Sequence, residues 1–129
     1  MNYYTYTYTN KNGEEKELRL RLTSADAMEI EKAQNVKLIS YLQQESMTMI
    51  ITLLRYLNKW ENKNFSLGQA QQLYDELIDS GLSMKKILLD IIYESLVVSG
   101  FLEESEWKEM KGLLTKVDQE KMKAIQETL

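Results

Sequence analysis

The 129-residue chain contains no cysteine, no histidine and no proline, and only five glycines. Without cysteine there is no disulfide scaffold and no thiolate zinc site, and without histidine the commonest other metal ligand is missing. General acid–base chemistry loses its usual side chain as well. The missing cysteine fits a reducing compartment. The glycines do not gather into a loop that cradles phosphate. The longest apolar-dense stretches, residues 47–57 and 87–98, fall short of the roughly 18–20 residues that span a membrane. The opening MNYYTYTYT has neither the positive n-region nor the apolar h-region of a secretory signal. Sixteen Lys and Arg against twenty Asp and Glu give a net charge of −4, and the basic residues are scattered. The basic face that displaces counterions from a nucleic acid is missing. With no cofactor, metal, membrane or nucleic acid indicated, binding through protein surfaces is the first expectation.

What is present reads as one domain over residues 1–129, with 43% hydrophobic residues. A chain of this size buries roughly two-thirds of its unfolded surface without metal or disulfide. Tyr4, Tyr6 and Tyr8 alternate with Thr5, Thr7 and Thr9, a period of two built from strong strand formers. After the turn cluster Asn10-Lys11-Asn12-Gly13 the period resumes, with Leu18, Leu20 and Leu22 facing one way and Arg19 and Arg21 the other. Residues 1–22 are therefore expected to form a β-hairpin whose leucine face packs on helices, since two strands alone are marginal in water. Its outer edges are open to pairing with another copy, and Tyr4, Tyr6 and Tyr8 mark a possible self-association edge.

Residues 23–100 read as the helical core. Thr23 with Asp26 caps a first helix, and Asn35 is a plausible left-handed stop. A short helical piece holds Val36, Leu38, Ile39 and Leu42. From Ser46 to Asn58, Met47, Ile50, Ile51, Leu53, Leu54 and Leu57 cover more than half the circumference, the mark of a buried helix. Ser66 with Gln69 forms a capping box for the next helix, which Gly81 ends. Ser83 caps a further helix carrying Ile87, Leu88, Ile91, Ile92, Leu96 and Val97, which Gly100 stops. Residues 101–129 read as a charged C-terminal helix with a thinner stripe of Trp107, Met110, Leu114 and Val117. The fold expected is mainly α: an N-terminal two-stranded hairpin on a compact bundle of about five helices.

Carboxylates cluster at Glu14, Glu15 and Glu17 and at Glu103, Glu104 and Glu106, beside element ends, where solvated charge is the plain reading. They lack the spacing of a calcium loop. A Ser or Thr nucleophile would have only lysine as its base, so an enzyme is not expected. The aromatic residues offer more. Tyr56 and Trp60 stand four apart, on what reads as the outer side of their helix, and with Trp107 and Met110 they are the candidate partner contacts. Tyrosine and tryptophan are favoured at binding surfaces, and seven methionines add adaptable area.

Residues 18–42, LRLRLTSADAMEIEKAQNVKLISYL, resemble the strand, capped helix and following helix that open a family of tail-assembly chaperones in long-tailed phages and prophages of low-GC Gram-positive bacteria. Residues 48–102 are similar to the rest of that domain, through Ser66, Ala70, Leu73, Asp75 and Gly81 and the ending Leu96, Gly100, Phe101 and Leu102. The resemblance covers about residues 15–104. The Tyr/Thr-rich first strand departs from the family, and Asn35 stands where a glycine is expected. The resemblance implies a non-catalytic protein of the host cytoplasm that coats the tape-measure protein until the tail tube polymerises around it, and that is absent from the finished virion. It also implies a short product beside a longer frameshifted one, and contact with the tail-tube protein or a second copy. A head–tail connector, a tube-associated subunit and a small host protein-interaction domain are the alternatives.

Overall fold

A computed structural model describes residues 2–105. Trp107, Met110 and most of segment 101–129 lie outside the described residues.

Strands β1 (Tyr4–Thr9) and β2 (Glu15–Leu20) pair antiparallel, from Tyr4 opposite Leu20 to Thr9 opposite Glu15. In the turn, Gly13 N donates to Asn10 O at 3.0 Å and Asn10 N donates to Glu14 O at 2.9 Å. Gly13 takes φ 81°, the left-handed position of a three-residue hairpin loop, which a side chain would strain. The Asn10 side chain finishes the turn, its Oδ1 accepting from Asn12 N and Glu14 N at 3.0 and 2.9 Å.

This loop sets the parity of the whole hairpin. Asn10 bonds Glu14, so the pairs that exchange backbone bonds are Tyr8 with Lys16, Tyr6 with Leu18 and Tyr4 with Leu20. Thr5, Thr7 and Thr9, like Arg19, Glu17 and Glu15 across from them, turn N–H and C=O outward. Opposed residues share a face, so Tyr4, Tyr6 and Tyr8 lie beside Leu18, Leu20 and Lys16, and the tyrosine face is the half-buried one. The two outer edges differ. Along the β2 edge, Trp60 Nε1 donates to Arg19 O at 3.1 Å and, one residue past the strand, Arg21 N donates to Leu57 O at 3.0 Å. On β1, the outward groups of Thr5, Thr7 and Thr9 meet no partner among the described residues.

The helices begin and end where their caps place them. Helix α1 (Ser24–Gln34) starts on Thr23, whose hydroxyl accepts from Asp26 N at 3.1 Å, and stops at Asn35 with φ 53° and ψ 39°. Helix α2 (Leu38–Gln43) has Lys37 at its cap, which supplies no acceptor. The Glu31 carboxylate reaches over from α1 and accepts from Leu38 N at 2.8 Å. Helix α3 (Met47–Lys59) starts on Ser46, and α4 (Leu67–Asp79) on the full Ser66–Gln69 capping box. Helix α5 (residues 84–98) starts on Ser83 with a single turn, Met84–Lys86, widens into a π-helix over Ile87–Tyr93 and returns to α over Glu94–Val98. A regular α-helix is what the apolar spacing predicts there. Along the wide turns Ile87, Leu88, Leu89, Ile91, Ile92 and Tyr93 are all buried.

One cluster of buried side chains joins every element. Met49, Ile50, Leu53, Leu54 and Leu57 of α3, Leu77 of α4, and Ile87, Ile91, Ile92 and Leu96 of α5 are fully enclosed, with Leu20, Leu22 and Ile30 closing the cluster. Each contributes about 1.5–3 kcal/mol relative to exposure. The open end of the hairpin is fastened twice: Tyr4 Oη donates to Asp90 O at 2.9 Å, and Leu22 N donates to Ser99 Oγ at 2.9 Å.

Candidate partner-binding surface

Of the two residues singled out for partner contact that lie among the described residues, Tyr56 and Trp60, it is Trp60 that the fold presents. It ends α3, and its indole nitrogen is held by the Arg19 carbonyl of β2. With the ring so fixed, Tyr3 stacks on it at 5.4 Å between centroids and 26° between planes. The Arg19 guanidinium lies 5.8 Å from the centre of the Tyr3 ring and pairs with Glu17 at 3.4 Å and Glu61 at 3.7 Å. Tyr3 keeps 42% of its surface exposed. The result is a layered stack of arginine, tyrosine and tryptophan at the rim between hairpin and α3, with cation–π and ring-offset contacts setting the order.

Tyr56 does not share that rim. It is 6% exposed, so its ring is interior rather than on the outer side of α3. Arg55 and Lys59 lie 5.5 and 5.2 Å from its centre, and Lys59 is tied in turn to Glu29 of α1 at 3.4 Å. Burial, then the neighbouring Glu29, pushes its hydroxyl above the ordinary tyrosine range. Tyr56 falls three and seven residues after Leu53 and Met49, within the apolar stripe, and that spacing was the signal for an interior position.

Tyr4, Tyr6 and Tyr8 likewise turn toward the helices, so their rings line a packed face while the threonines hold the open edge. The Tyr6 and Tyr8 rings lie 6.4 Å apart. Tyr8 Oη donates to Glu76 Oε2 at 2.5 Å, and Asn10 Nδ2 donates to Glu76 Oε1 at 3.3 Å. This clamps the hairpin turn to α4. Burial first, and then Glu76, drive the Tyr8 hydroxyl far above its ordinary range. The Tyr8 bond, outweighing desolvation and helped by Asn10, holds Glu76 below the usual carboxylate range. In α5, burial and then Glu45 push the Tyr93 hydroxyl up to about 12, and it donates to Leu42 O at 3.2 Å. These perturbed groups are joined to other elements of the fold by hydrogen bonds. Among the described residues no three acidic side chains converge as metal ligands would.

Sequence reasoning missed Tyr3 and Arg19, the two partners of Trp60, because their meeting depends on strand parity. It also left open three methionines that the fold turns outward: Met28 is 69% exposed, Met47 45% and Met84 42%. Ile39 joins them at 53%. Met84 rims a depression of about 260 Å³ with Leu88 and Leu89 at its base and Glu45 at its edge. Glu45 itself takes φ 47°, a left-handed position unusual for a residue with a side chain.

Comparison of the chain with family models, with curated proteins and with solved structures gives no match.

Proposed function

We propose that this chain is a non-catalytic tail-assembly chaperone that binds apolar helical segments of a phage tape-measure protein in the host cytoplasm and releases them when the tube assembles. The observation that supports this reading best is the Arg19–Tyr3–Trp60 stack. Aromatic and arginine side chains dominate the energetics of protein interfaces, and a ring locked by its own hydrogen bond loses little entropy on binding. Exposed Met28, Met47 and Met84 add contacts that adapt to irregular helix surfaces. Many weak copies along one long helical chain hold it through multivalency, yet each copy is displaced singly.

Co-expression with the tape-measure protein of the same genome tests the proposal. The expected result is a soluble complex in which Tyr3→Ala with Trp60→Ala weakens capture about tenfold or more, the loss of a pair of hot-spot rings. Tyr56→Ala, by contrast, lowers the melting temperature of the free chain. Tape-measure protein that behaves identically with and without this chain, with none co-purifying, overturns the proposal.

A further inference from the structure

The two edges of the hairpin are unequal. Edge strands are ordinarily protected by charge, proline, bulges or cover. On β2 protection is present: Trp60 Nε1 occupies the outward carbonyl of Arg19, Leu57 O takes the N–H of Arg21 just past the strand, and Glu15, Lys16 and Glu17 bring charge to the other end. On β1 it is missing. Tyr4–Thr9 has no charge and no proline, and its Thr5, Thr7 and Thr9 side chains are exposed. The outward N–H and C=O groups of these three residues have no partner among the described residues.

We propose that β1 pairs antiparallel with β1 of a second copy, giving a closed four-stranded sheet in the order β2, β1, β1 of the second copy, β2 of the second copy. Thr7 sits on the two-fold axis opposite its counterpart, and Thr5 lies opposite Thr9. In this register each threonine pair exchanges both backbone bonds, because the outward parity of Thr5, Thr7 and Thr9 is the hydrogen-bonding one. The threonine side chains then pair across the outer face, a favourable cross-strand combination, with no like charges opposed. On the inner face Tyr6 comes opposite Tyr8 of the second copy and continues the aromatic row that Tyr6 and Tyr8 already form. A second copy is the fitting occupant because the edge is complementary to itself: in this register every threonine meets a threonine and Tyr6 meets Tyr8, while the charges of the outer face, Glu15, Glu17 and Arg19, stay on β2 away from the join. Growth stops at two copies because the outer edges are then both β2, capped and charged.

A join made of one strand pair buries little area and belongs to the weak class of interfaces, so sedimentation is run over a series up to about 100 µM. The native chain is expected to show concentration-dependent dimers. Thr7→Pro keeps every bond within the hairpin, because the Thr7 N–H points outward, but it removes a donor at the centre of the join. Thr7→Lys sets two like charges on the axis. Both variants are expected to be monomeric with native-like circular dichroism. The chain has no cysteine of its own, so Thr7→Cys reads the register directly. It is expected to oxidise to a covalent dimer, while Thr5→Cys, displaced along the strand from its own counterpart, does not. A native chain that stays monomeric overturns the proposal. So do dimers that survive Thr7→Lys, or a Thr5→Cys dimer formed in preference to the Thr7→Cys one. These readouts need no tape-measure protein, so their outcome is separate from that of the chaperone reading.

Discussion

Replacing Tyr8 with phenylalanine removes one hydroxyl and leaves the ring in place, which makes it the sharpest probe of how the hairpin turn is held. That hydroxyl donates to Glu76 at 2.5 Å. A hydrogen bond to a charged acceptor is worth about 1.5–3 kcal/mol when enclosed, and solvent around this half-exposed pair brings the expected loss to about 1 kcal/mol. With a urea slope of about 1–2 kcal/mol/M, the midpoint falls by roughly 0.5–1 M. The pH dependence follows from Glu76. Its folded pKa is depressed, chiefly by Tyr8, so its contribution is present above the unfolded value of about 4.3 and fades as pH falls through the lower folded value. Tyr8 has the opposite sign. Its pKa is raised, so its share is present below about pH 10 and is lost as pH rises beyond that. Urea titrations of the native chain and Tyr8→Phe at pH 7, 5 and 3 are expected to show the largest gap at pH 7 and a narrower one at pH 3. Glu76→Gln still accepts a bond, and it is expected to lose the acid dependence while losing less stability at pH 7. Equal midpoints for Tyr8→Phe and the native chain at pH 7, or a gap of the same size at pH 3, would refute the clamp.

Two further substitutions test the packing. Leu57 is fully enclosed where α3 meets β2, so Leu57→Ala is expected to cost about 2–5 kcal/mol in chemical denaturation, the range for a truncated core leucine. Tyr41 is 2% exposed and its hydroxyl finds no partner among the described residues. Tyr41→Phe is therefore expected to leave stability unchanged or raise it by about 1 kcal/mol, measured as the melting temperature, because it removes an orphaned polar group.

The parts of the fold legible in the sequence are those governed by neighbours along the chain. Thr23, Ser46, Ser66 and Ser83 each accept a hydrogen bond from the residue three positions on, and Asn35 takes the left-handed conformation that ends α1. Short-range chemistry of this kind leaves a short-range signature. The placement of the aromatic residues was less open to reading. Tyrosine suits a wet face and a packed face equally, and the inward turn of Tyr4, Tyr6 and Tyr8 follows only from the loop length at Lys11, Asn12 and Gly13, which fixes them beside the leucines. The Trp60 platform depends on the same parity, since it is the outward carbonyl of Arg19 that holds the indole. The π-helical stretch of α5 was invisible for a different reason. An apolar run that is buried all round has no period to betray how many residues make a turn.

The tie between the first strand and the last described helix bears on how the chain comes off the ribosome. Tyr4 waits for a carbonyl 86 positions later, and Leu22 waits for a hydroxyl 77 positions later. The hairpin emerges first, yet its seat is completed only when residues 90–99 are out, after nearly all of the core helices have been made. Such long-range closure is slow compared with helix formation, so the tyrosine face of β1 stays wet through most of translation. The N-terminal strand, early in time, is thereby fully seated only together with one of the last elements to be made.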